Sequence, residues 1–277
     1  MHRTIRQFIW SALLSALMTG TAQASPKRII SLMPSNTEIL FDLGAGDSVV
    51  GVTSYCDYPE AAKQKQKVGD FIHPNFEKIV SLKPDLVVAG LWKSTHIVPR
   101  LRKTGVKVIE IDLPANLDDI YKSILQIADA VDKRKEGDAL VADLKSRVDK
   151  ITRGMSKLSR NPSLYIEIDP PNWTVSGLSF ITDATERCGT RNIFKDLPAS
   201  GVQISWESVV HKNPDLILVF GARKKEVAAR PGWHTISAVK NNAVIDNIGQ
   251  NMLNRPTPRI VMGMEQHAER IRLLGFK

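Results

Sequence analysis

"FEKIVSLKPDLVVAG" at Phe76–Gly90 and "WESVVHKNPDLILVFG" at Trp206–Gly221 follow one pattern. In each segment an aromatic residue precedes a glutamate, apolar residues follow at helical spacing, and a Pro-Asp pair leads into an apolar run that ends in glycine. The pattern predicts a short amphipathic helix, a turn and a buried strand. We therefore interpret the two segments as copies of one supersecondary unit, one in each of two lobes.

Strands and helices alternate on both sides of this repeat. Buried strands are predicted at "KRIISL" (27–32), "SVVGV" (48–52), "GVKVIEI" (105–111), "SLYIEI" (163–168) and "NAVIDNI" (242–248). Alternating strands and helices are typical of parallel sheets that are covered on both faces. The predicted fold class is α/β, with two doubly wound lobes of parallel sheet joined by a single long interdomain helix.

The middle of the chain, from Asn116 to about Ser159, has a helical pattern alone. It contains two apolar stripes, and the second belongs to a long helix that is charged on its other face. We predict an N-terminal lobe at 25–131, an interdomain helix at 132–158 and a C-terminal lobe at 159–277.

The first 24 residues have the features of a secretory signal. Arg3 and Arg6 precede an apolar segment, and Ala22-Gln23-Ala24 forms a small-x-small cleavage site before Ser25. The apolar segment is shorter than the roughly 20 residues of a transmembrane helix. No cysteine stands at the cleavage point, so we expect a cleaved signal peptide at 1–24 and release into a periplasm, without a lipid anchor.

The charge and the motifs exclude several classes of function. The formal net charge is +9, and loss of the two signal arginines lowers it to about +7. Because there is no basic block with interleaved aromatics and no Gly-rich phosphate loop, nucleic acid is not an expected partner. The G-x-S-x-G, H-E-x-x-H and Walker motifs are also missing. An enzyme using Asp57 and Asp70 as acid and base is the competing alternative, although no spacing brings the two together.

A ligand site is predicted in a cleft between the lobes, because open α/β sheets bind ligands beyond the carboxyl ends of their strands. The loops at those ends carry Pro34-Ser35-Asn36, Tyr55–Tyr58, Leu91-Trp92, Pro170–Trp173 and "GQNMLNRP" at 249–256. Aromatic residues with a few polar groups are typical of small-molecule sites. Near the first loop, Ser35 and Glu38 have capping-box spacing, and Gly44 or Gly46 can end the helix.

Six segments carry a family resemblance. In order they are "RIISLMPSNTEILFDLG", "VGVTSYCDYP", "NFEKIVSLKPDLVVAG", "CGTRNIFKD", "ISWESVVHKNPDLILV" and "RPTPRIV". They resemble the periplasmic substrate-binding proteins of ABC importers for vitamin B12 and ferric siderophores, and most closely the vitamin B12-binding branch. The resemblance implies two lobes with small closure on ligand binding, no catalysis, and a monomer that docks on a permease dimer in the inner membrane.

The resemblance also implies why the repeat exists. In that family a surface glutamate of each lobe contacts arginines of the permease, and the matching residues are Glu77 and Glu207. A two-fold permease needs one such contact per lobe. The alternative is that each glutamate only favours the N-terminus of its own helix, by about 0.3–1 kcal/mol.

For the ligand, the vitamin B12 branch implies apolar contact with a corrin ring and hydrogen bonds at its rim. Tyr55, Phe71 and Trp92 match its aromatic positions. Gly201 falls where that branch can carry a tryptophan, and Trp173 can supply the aromatic surface that this glycine lacks. No catalytic cofactor is implied, and the bound ligand is expected to be cobalamin. The predicted ligand-binding residues are Pro34, Ser35, Asn36, Tyr55, Cys56, Phe71, Trp92, Trp173, Asn251 and Arg255.

A ferric siderophore or haem is the alternative ligand. Lys93, Arg223, Lys224 and Arg255 suit an anionic chelate through charge-assisted hydrogen bonds. His73 is a weak candidate metal ligand, and its alternative is a turn residue beside Pro74. The two cysteines, Cys56 and Cys188, fall in opposite halves of the chain, and the sequence leaves open whether they are free or bridged.

Overall fold

Two β-sheets, one in each half of the chain, organise the protein. The computed structural model describes residues 25–70, 72–90, 97–169, 172–249 and 251–276. Five parallel strands form the first sheet, in the order β3-β2-β1-β4-β5. They are β1 (Ile29–Ser31), β2 (Val49–Val52), β3 (Gln66–Lys67), β4 (Leu86–Gly90) and β5 (Lys107–Ile111).

The first lobe carries four helices among its described residues: α1 (Pro34–Asp42), α2 (Glu60–Lys63), α3 (Phe76–Ser81) and α4 (Ile97–Arg102). Helix α1 ends as predicted, because Gly44 has a positive φ of 73° in the turn after it. The predicted capping box is wrong. The N-cap is Met33, with no side-chain capping bond, and Pro34 opens the helix. Glu38 is therefore available for other contacts.

One long helix, α6 (Arg134–Met155), connects the lobes, and α5 (Leu117–Ala130) precedes it. The 22 residues of α6 lie inside the range predicted for the interdomain helix, and they span about 33 Å. One stripe of α6, including Val141, Leu144 and Val148, is buried in the core. Its other face is solvated, as the charged pattern predicted.

The second sheet is mixed: β6 is parallel to β8 and β10, and β10 is parallel to β11, as predicted, whereas the prediction of a parallel sheet is wrong at β7. Its order is β11-β10-β6-β7-β9, with β8 beside β6; β7 is antiparallel to both β6 and β9. Only residues 170–172 separate β6 from β7, which is too short for the crossover that a parallel pair requires. The strands are β6 (Ser163–Asp169), β7 (Trp173–Val175), β8 (Arg191–Asn192), β9 (Gly201–Gln203), β10 (Leu216–Val219) and β11 (Val244–Ile245).

Five helices belong to the second lobe within the described ranges: α7 (Phe180–Arg187), α8 (Trp206–Lys212), α9 (Lys224–Ala228), α10 (Ser237–Lys240) and α11 (Ile260–Leu273). Helix α11 packs on the interdomain helix, where Arg147 binds Glu265 through two N–O contacts of 3.1 and 2.9 Å. None of the helices in the described part of the chain is long and apolar enough to cross a membrane.

The predicted repeat is confirmed as α3–β4 in one lobe and α8–β10 in the other. The aspartate of each Pro-Asp pair ties its strand to the central strand of the sheet. Asp85 accepts hydrogen bonds from the backbone N–H groups of Lys27 and Arg28, just before β1, at 2.9 and 3.0 Å. Asp215 accepts one from the N–H of Ser163, the first residue of β6, at 2.9 Å. The repeated aspartate thus has one structural role in both lobes.

Both cysteines are buried and free. Cys188 lies in the second lobe, where burial raises the pKa of its thiol well above the ordinary value. The sulfur of Cys56 is 3.1 Å from the hydroxyls of both Thr37 and Thr53 in the first lobe. The two cysteines are therefore free thiols in separate lobes and do not form a disulfide.

Candidate ligand-binding cleft

A cleft of about 280 Å³ opens between the lobes at the carboxyl end of the first sheet. Met33 follows β1, while Gly90 and Ile111 are the last residues of β4 and β5. The described residues that line the cleft are Met33, Pro34, Ser35, Asn36, Ile39, Tyr55, Gly90, Ile111, Asp112, Leu113, Pro114, Ser123, Phe180, Asn254, Arg255 and Pro256. Most of this lining is apolar, which suits a ligand with extended apolar surface.

Five of the predicted site residues line this cleft: Pro34, Ser35, Asn36, Tyr55 and Arg255. The first three form the opening turn of α1, where the Asn36 amide donates to the backbone oxygen of Ala89 at 3.3 Å. This bond ties the start of α1 to β4, so two strand ends hold the floor of the cleft in place.

Other predicted site residues lie elsewhere. Cys56 is turned into the core of the first lobe, away from the cleft, since its sulfur is held by two threonines. Trp173 is partly exposed on β7 and does not belong to the cleft lining. Asn251 lies at the junction of the lobes, with its amide 3.4 Å from a carboxylate oxygen of Asp57. Phe71 and Trp92 lie outside the described residues.

One wall of the cleft, which β5 and α7 contribute, was not predicted from the sequence. Asp112, Leu113 and Pro114 directly follow β5, and Phe180 is the first residue of α7. The rule that singled out the other loops, a position just beyond the carboxyl end of a strand, applies equally to residues 112–114. Leu113 keeps more than half of its surface exposed at the cleft.

Four charged residues, which we call the interlobe cluster, join the lobes beside the cleft: Glu38, Asp57, Arg255 and Arg259. The Glu38 carboxylate is fully buried and accepts from Arg259 Nε at 2.7 Å, Arg259 Nη2 at 2.6 Å and Arg255 Nη1 at 3.2 Å. Arg255 also binds Asp57, with Nη1 at 2.5 Å from Oδ1. Bidentate arginine–carboxylate pairs are strong and directional, so the cluster fixes how the lobes meet.

The surroundings of the cluster keep its charges in place. Partial burial alone would raise the pKa of Asp57, but the hydrogen bond and the charge of Arg255 hold that pKa below its ordinary value. The Arg259 guanidinium lies 3.8 Å from the centre of the Tyr58 ring. A second bridge between the lobes is the N–H of Leu117, which donates to Asp183 at 2.9 Å.

Asp57 and Asp70, the acid–base pair of the enzyme alternative, have separate structural tasks. Asp57 is the partner of Arg255, whereas Asp70 accepts from the backbone N–H groups of Ile72 and His73 at 2.7 and 2.6 Å. His73 is a turn residue with 82% of its side chain exposed, and it does not line the cleft. No group of three or more candidate metal ligands occurs among the residues that the structure describes.

The basic residues proposed to grip an anionic chelate do not converge on the cleft. Arg223 is the N-cap of α9, and its backbone N–H donates to Glu226 at 2.9 Å. The ammonium of Lys224 donates to the backbone oxygen of Asn242 at 3.1 Å. Lys93 lies outside the described residues. Among the described members of that set, only Arg255 lines the cleft.

The two predicted docking glutamates are exposed in the first turns of equivalent helices. Asn75 caps α3 by accepting from the N–H of Lys78 at 2.9 Å, and Ser205 caps α8 by accepting from that of Ser208 at 3.2 Å. Glu77 keeps 80% of its side chain in solvent, with Arg100 no closer than 3.9 Å. Because the side chains of Asn75 and Ser205 provide the N-caps, neither glutamate is the capping residue of its helix. Both side chains are accessible to a partner.

Two α/β lobes, one connecting helix and a cleft at the junction define a solute-binding protein. The sequence profile of the family described as "Periplasmic binding protein" matches residues 29–247. This chain therefore belongs to the periplasmic binding protein family, as the resemblance predicted, and the family consists of substrate-binding transport proteins rather than enzymes.

Three relatives illustrate the range of the similarity. An uncharacterised ABC transporter substrate-binding lipoprotein of Bacillus subtilis is 37% identical over 93% of this chain and 83% of its own length. A vitamin B12-binding protein of Vibrio vulnificus is 33% identical over 92% and 94%. The crystal structure of a possible iron-binding, periplasmic solute-binding protein of Staphylococcus epidermidis has a TM-score of 0.79 and 31% identity, covering 89% of this chain and 99% of that one.

Proposed function

We propose that this protein captures a cobalamin-like corrinoid in the interlobe cleft and delivers it to an ABC importer of the inner membrane. In this proposal the segment 1–24 is a cleaved export signal, the lobes occupy 25–131 and 159–277, and the connection at 132–158 contains α6. The protein acts in the periplasm as a monomer, by binding and modest closure.

The observation that carries the proposal is the chemistry of the cleft. Its described lining is largely apolar, with small polar groups at Ser35, Asn36 and Asn254. The one described cation of the lining, Arg255, is engaged by carboxylates of the protein itself. An apolar macrocycle with neutral amides at its rim matches such a lining, because it needs apolar contact and neutral hydrogen bonds. The similarity to a vitamin B12-binding protein points to the same ligand class.

The second candidate is an iron chelate. It is favoured by the 31% identity to the possible iron-binding protein, over nearly the whole of that chain. An anionic siderophore or haem would need Arg255 to exchange a carboxylate of this protein for one of the ligand. The paired state of Arg255 makes this the less favoured ligand class.

Isothermal titration of residues 25–277 with cyanocobalamin, haem and ferric siderophores tests the proposal. We expect saturable one-to-one binding of cyanocobalamin. Binding of an iron chelate with no response to cyanocobalamin would contradict the corrinoid assignment and leave the transport role.

A matched pair of exposed leucines tests whether the ligand occupies this cleft. Leu113 lines the cleft, whereas Leu273, at the end of α11, does not. Leu113→Ala should weaken cyanocobalamin binding about tenfold, since burying a leucine contributes about 1.5–3 kcal/mol. Leu273→Ala should leave the affinity unchanged. Equal effects of the two substitutions would exclude the cleft as the site.

A further inference from the structure

We propose that Glu38 sets the charge selectivity of the cleft, as a positioning residue that occupies the two arginines beside it and so admits neutral ligands while disfavouring anions. The inference deepens the proposed function, since it rests on the cleft being the ligand site. It concerns a residue that does not line the cleft and that the sequence pattern assigned to helix capping.

Glu38 is placed for this task by the first turns of α1. The residues that precede it, Pro34 to Asn36, line the cleft, while Glu38 itself is directed into the junction of the lobes with no exposed surface. Both of its carboxylate oxygens are used, one by Arg259 alone and the other by Arg255 and Arg259 together. A buried carboxylate stays ionised only when it is paired and hydrogen-bonded, so Glu38 requires these contacts in the folded protein.

The consequence for the ligand lies in the donors of Arg255. A guanidinium binds a carboxylate or a chelated anion best through two parallel N–H groups. In Arg255, Nη1 faces Glu38 and Asp57, while Nη2 faces Asp57 and the backbone oxygen of Tyr55, at 3.3 and 3.4 Å. Both terminal nitrogens are thus directed at oxygens of the protein, and only 16% of the side chain remains exposed.

The formal charges around the cleft also favour a neutral ligand over an anionic one. The interlobe cluster contains two carboxylates and two guanidinium groups, and its formal charge is zero. The remaining charged residue of the described lining is Asp112, an exposed carboxylate. An anionic ligand would meet Asp112 and an already neutralised Arg255, whereas a neutral ligand would leave every ion pair intact.

Charge selection is distinguishable from a purely mechanical role in holding the lobes together. If Glu38 were only a tether, its loss would weaken all ligands of one shape to the same degree. The lobes would also keep their second bridge, from Leu117 to Asp183. If Glu38 neutralises the interlobe cluster, its loss leaves Arg255 and Arg259 opposed by Asp57 alone. The resulting net positive charge improves the binding of an anionic ligand relative to a neutral one of the same shape.

Glu38→Gln separates these two roles, because glutamine keeps the shape and removes the charge. The probes are cyanocobalamin and its monocarboxylic acid derivative, in which a carboxylate replaces one peripheral amide. We expect the wild-type protein to prefer the amide and Glu38→Gln to reduce that preference about tenfold, mainly by binding the acid more tightly.

Two control variants define the comparison. Glu265→Gln removes the same charge from the pair with Arg147, away from the cleft, and should leave the preference unchanged. Glu38→Asp keeps the charge and should retain the wild-type preference. If Glu38→Gln does not fold in thermal unfolding, the test passes to Asp57→Asn, which removes the other carboxylate bound to Arg255 and leaves the cluster with the same net charge.

An equal loss of affinity for both probes would overturn the inference and leave Glu38 as a tether. If the wild-type protein binds neither corrinoid, the proposed function fails, and the probe becomes a ferric catecholate. A gain of catecholate binding in Glu38→Gln, but not in Glu265→Gln, would then support charge selection. No gain in either variant would overturn it.

Discussion

Lys83 and Asn213 occupy the same turn of the two repeated units, and both have a left-handed backbone, with φ of 47° and 41°. The turn joins α3 to β4 in the first lobe and α8 to β10 in the second, directly before each Pro-Asp pair. In the second lobe the Asn213 side chain also accepts a hydrogen bond from the N–H of Ser237 at 2.7 Å. One copy of the repeat thus has a residue suited to this conformation, and the other does not.

Lys83→Asn should therefore stabilise the protein by about 0.5–1 kcal/mol, because asparagine tolerates the left-handed region better than lysine. The measurement is urea unfolding of wild type and variant. Asn213→Lys is the reciprocal control and should destabilise by at least as much, since it also removes the bond to Ser237. A loss of stability in Lys83→Asn would contradict the equivalence of the two turns.

The double variant Glu77→Ala/Glu207→Ala tests the docking role of the repeat. Both side chains are exposed in helix first turns and are not part of the cleft lining, so ligand affinity should be unchanged. Uptake by the cognate importer in vesicles should fall roughly tenfold or more if each glutamate contacts the permease. Glu60→Ala, in the exposed first turn of α2, is the matched control and should transport normally. Full transport by the double variant would refute the docking assignment.

The features that the sequence predicted correctly have local patterns. The buried runs of β4 and β10 and the long α6 are encoded by neighbouring residues at fixed spacing, and all three are present. The position of Pro34–Asn36 in the cleft was also predictable from the sequence, because these residues come soon after β1. The residues after a parallel strand lie at the carboxyl edge of the sheet, where ligands bind.

The features that it missed depend on partners far along the chain. Glu38 matched a capping box through local spacing, yet its partner Arg259 is 221 residues away. Likewise, the pattern of "DPPNWTVSG" predicts a loop, whereas its residues 173–175 form β7, which pairs with both β6 and β9. The spacing of apolar and polar residues predicts which face of a helix or strand is buried. It does not identify the residues that pack against that face.

The buried ion pair of Glu167, on β6, with Arg230 offers a test of stability. Arg230 donates to both carboxylate oxygens of Glu167 at 2.7 Å, and Tyr165 donates to the same carboxylate at 3.0 Å. Arg230→Met should destabilise the protein by about 3–5 kcal/mol, because it leaves a buried carboxylate without a counter-charge. Urea unfolding measures the loss.

The control for this prediction is Arg134→Met, which removes an exposed arginine paired with Asp129 and Asp138 and should cost less than about 1 kcal/mol. Adding Glu167→Gln to Arg230→Met should recover part of the loss, since the uncompensated charge disappears. Similar losses for the two arginine variants would show that burial of the Glu167 pair is not the source of the effect.

His267 should make the protein less stable in mild acid. It is fully buried on α11, its ring nitrogens have no hydrogen-bond partner in the described structure, and burial lowers its pKa to about 4. In the unfolded chain the pKa returns to about 6.5, so below that pH the unfolded state binds a proton that the folded state does not. The free energy of unfolding should fall between pH 6.5 and 4, by roughly 3 kcal/mol from this residue.

His267→Leu should remove that part of the pH dependence in urea unfolding at pH 7.5, 6 and 5, whereas His73→Leu, at an exposed turn, should retain it. An unchanged slope in His267→Leu would mean that the imidazole is protonated equally in the folded and unfolded states.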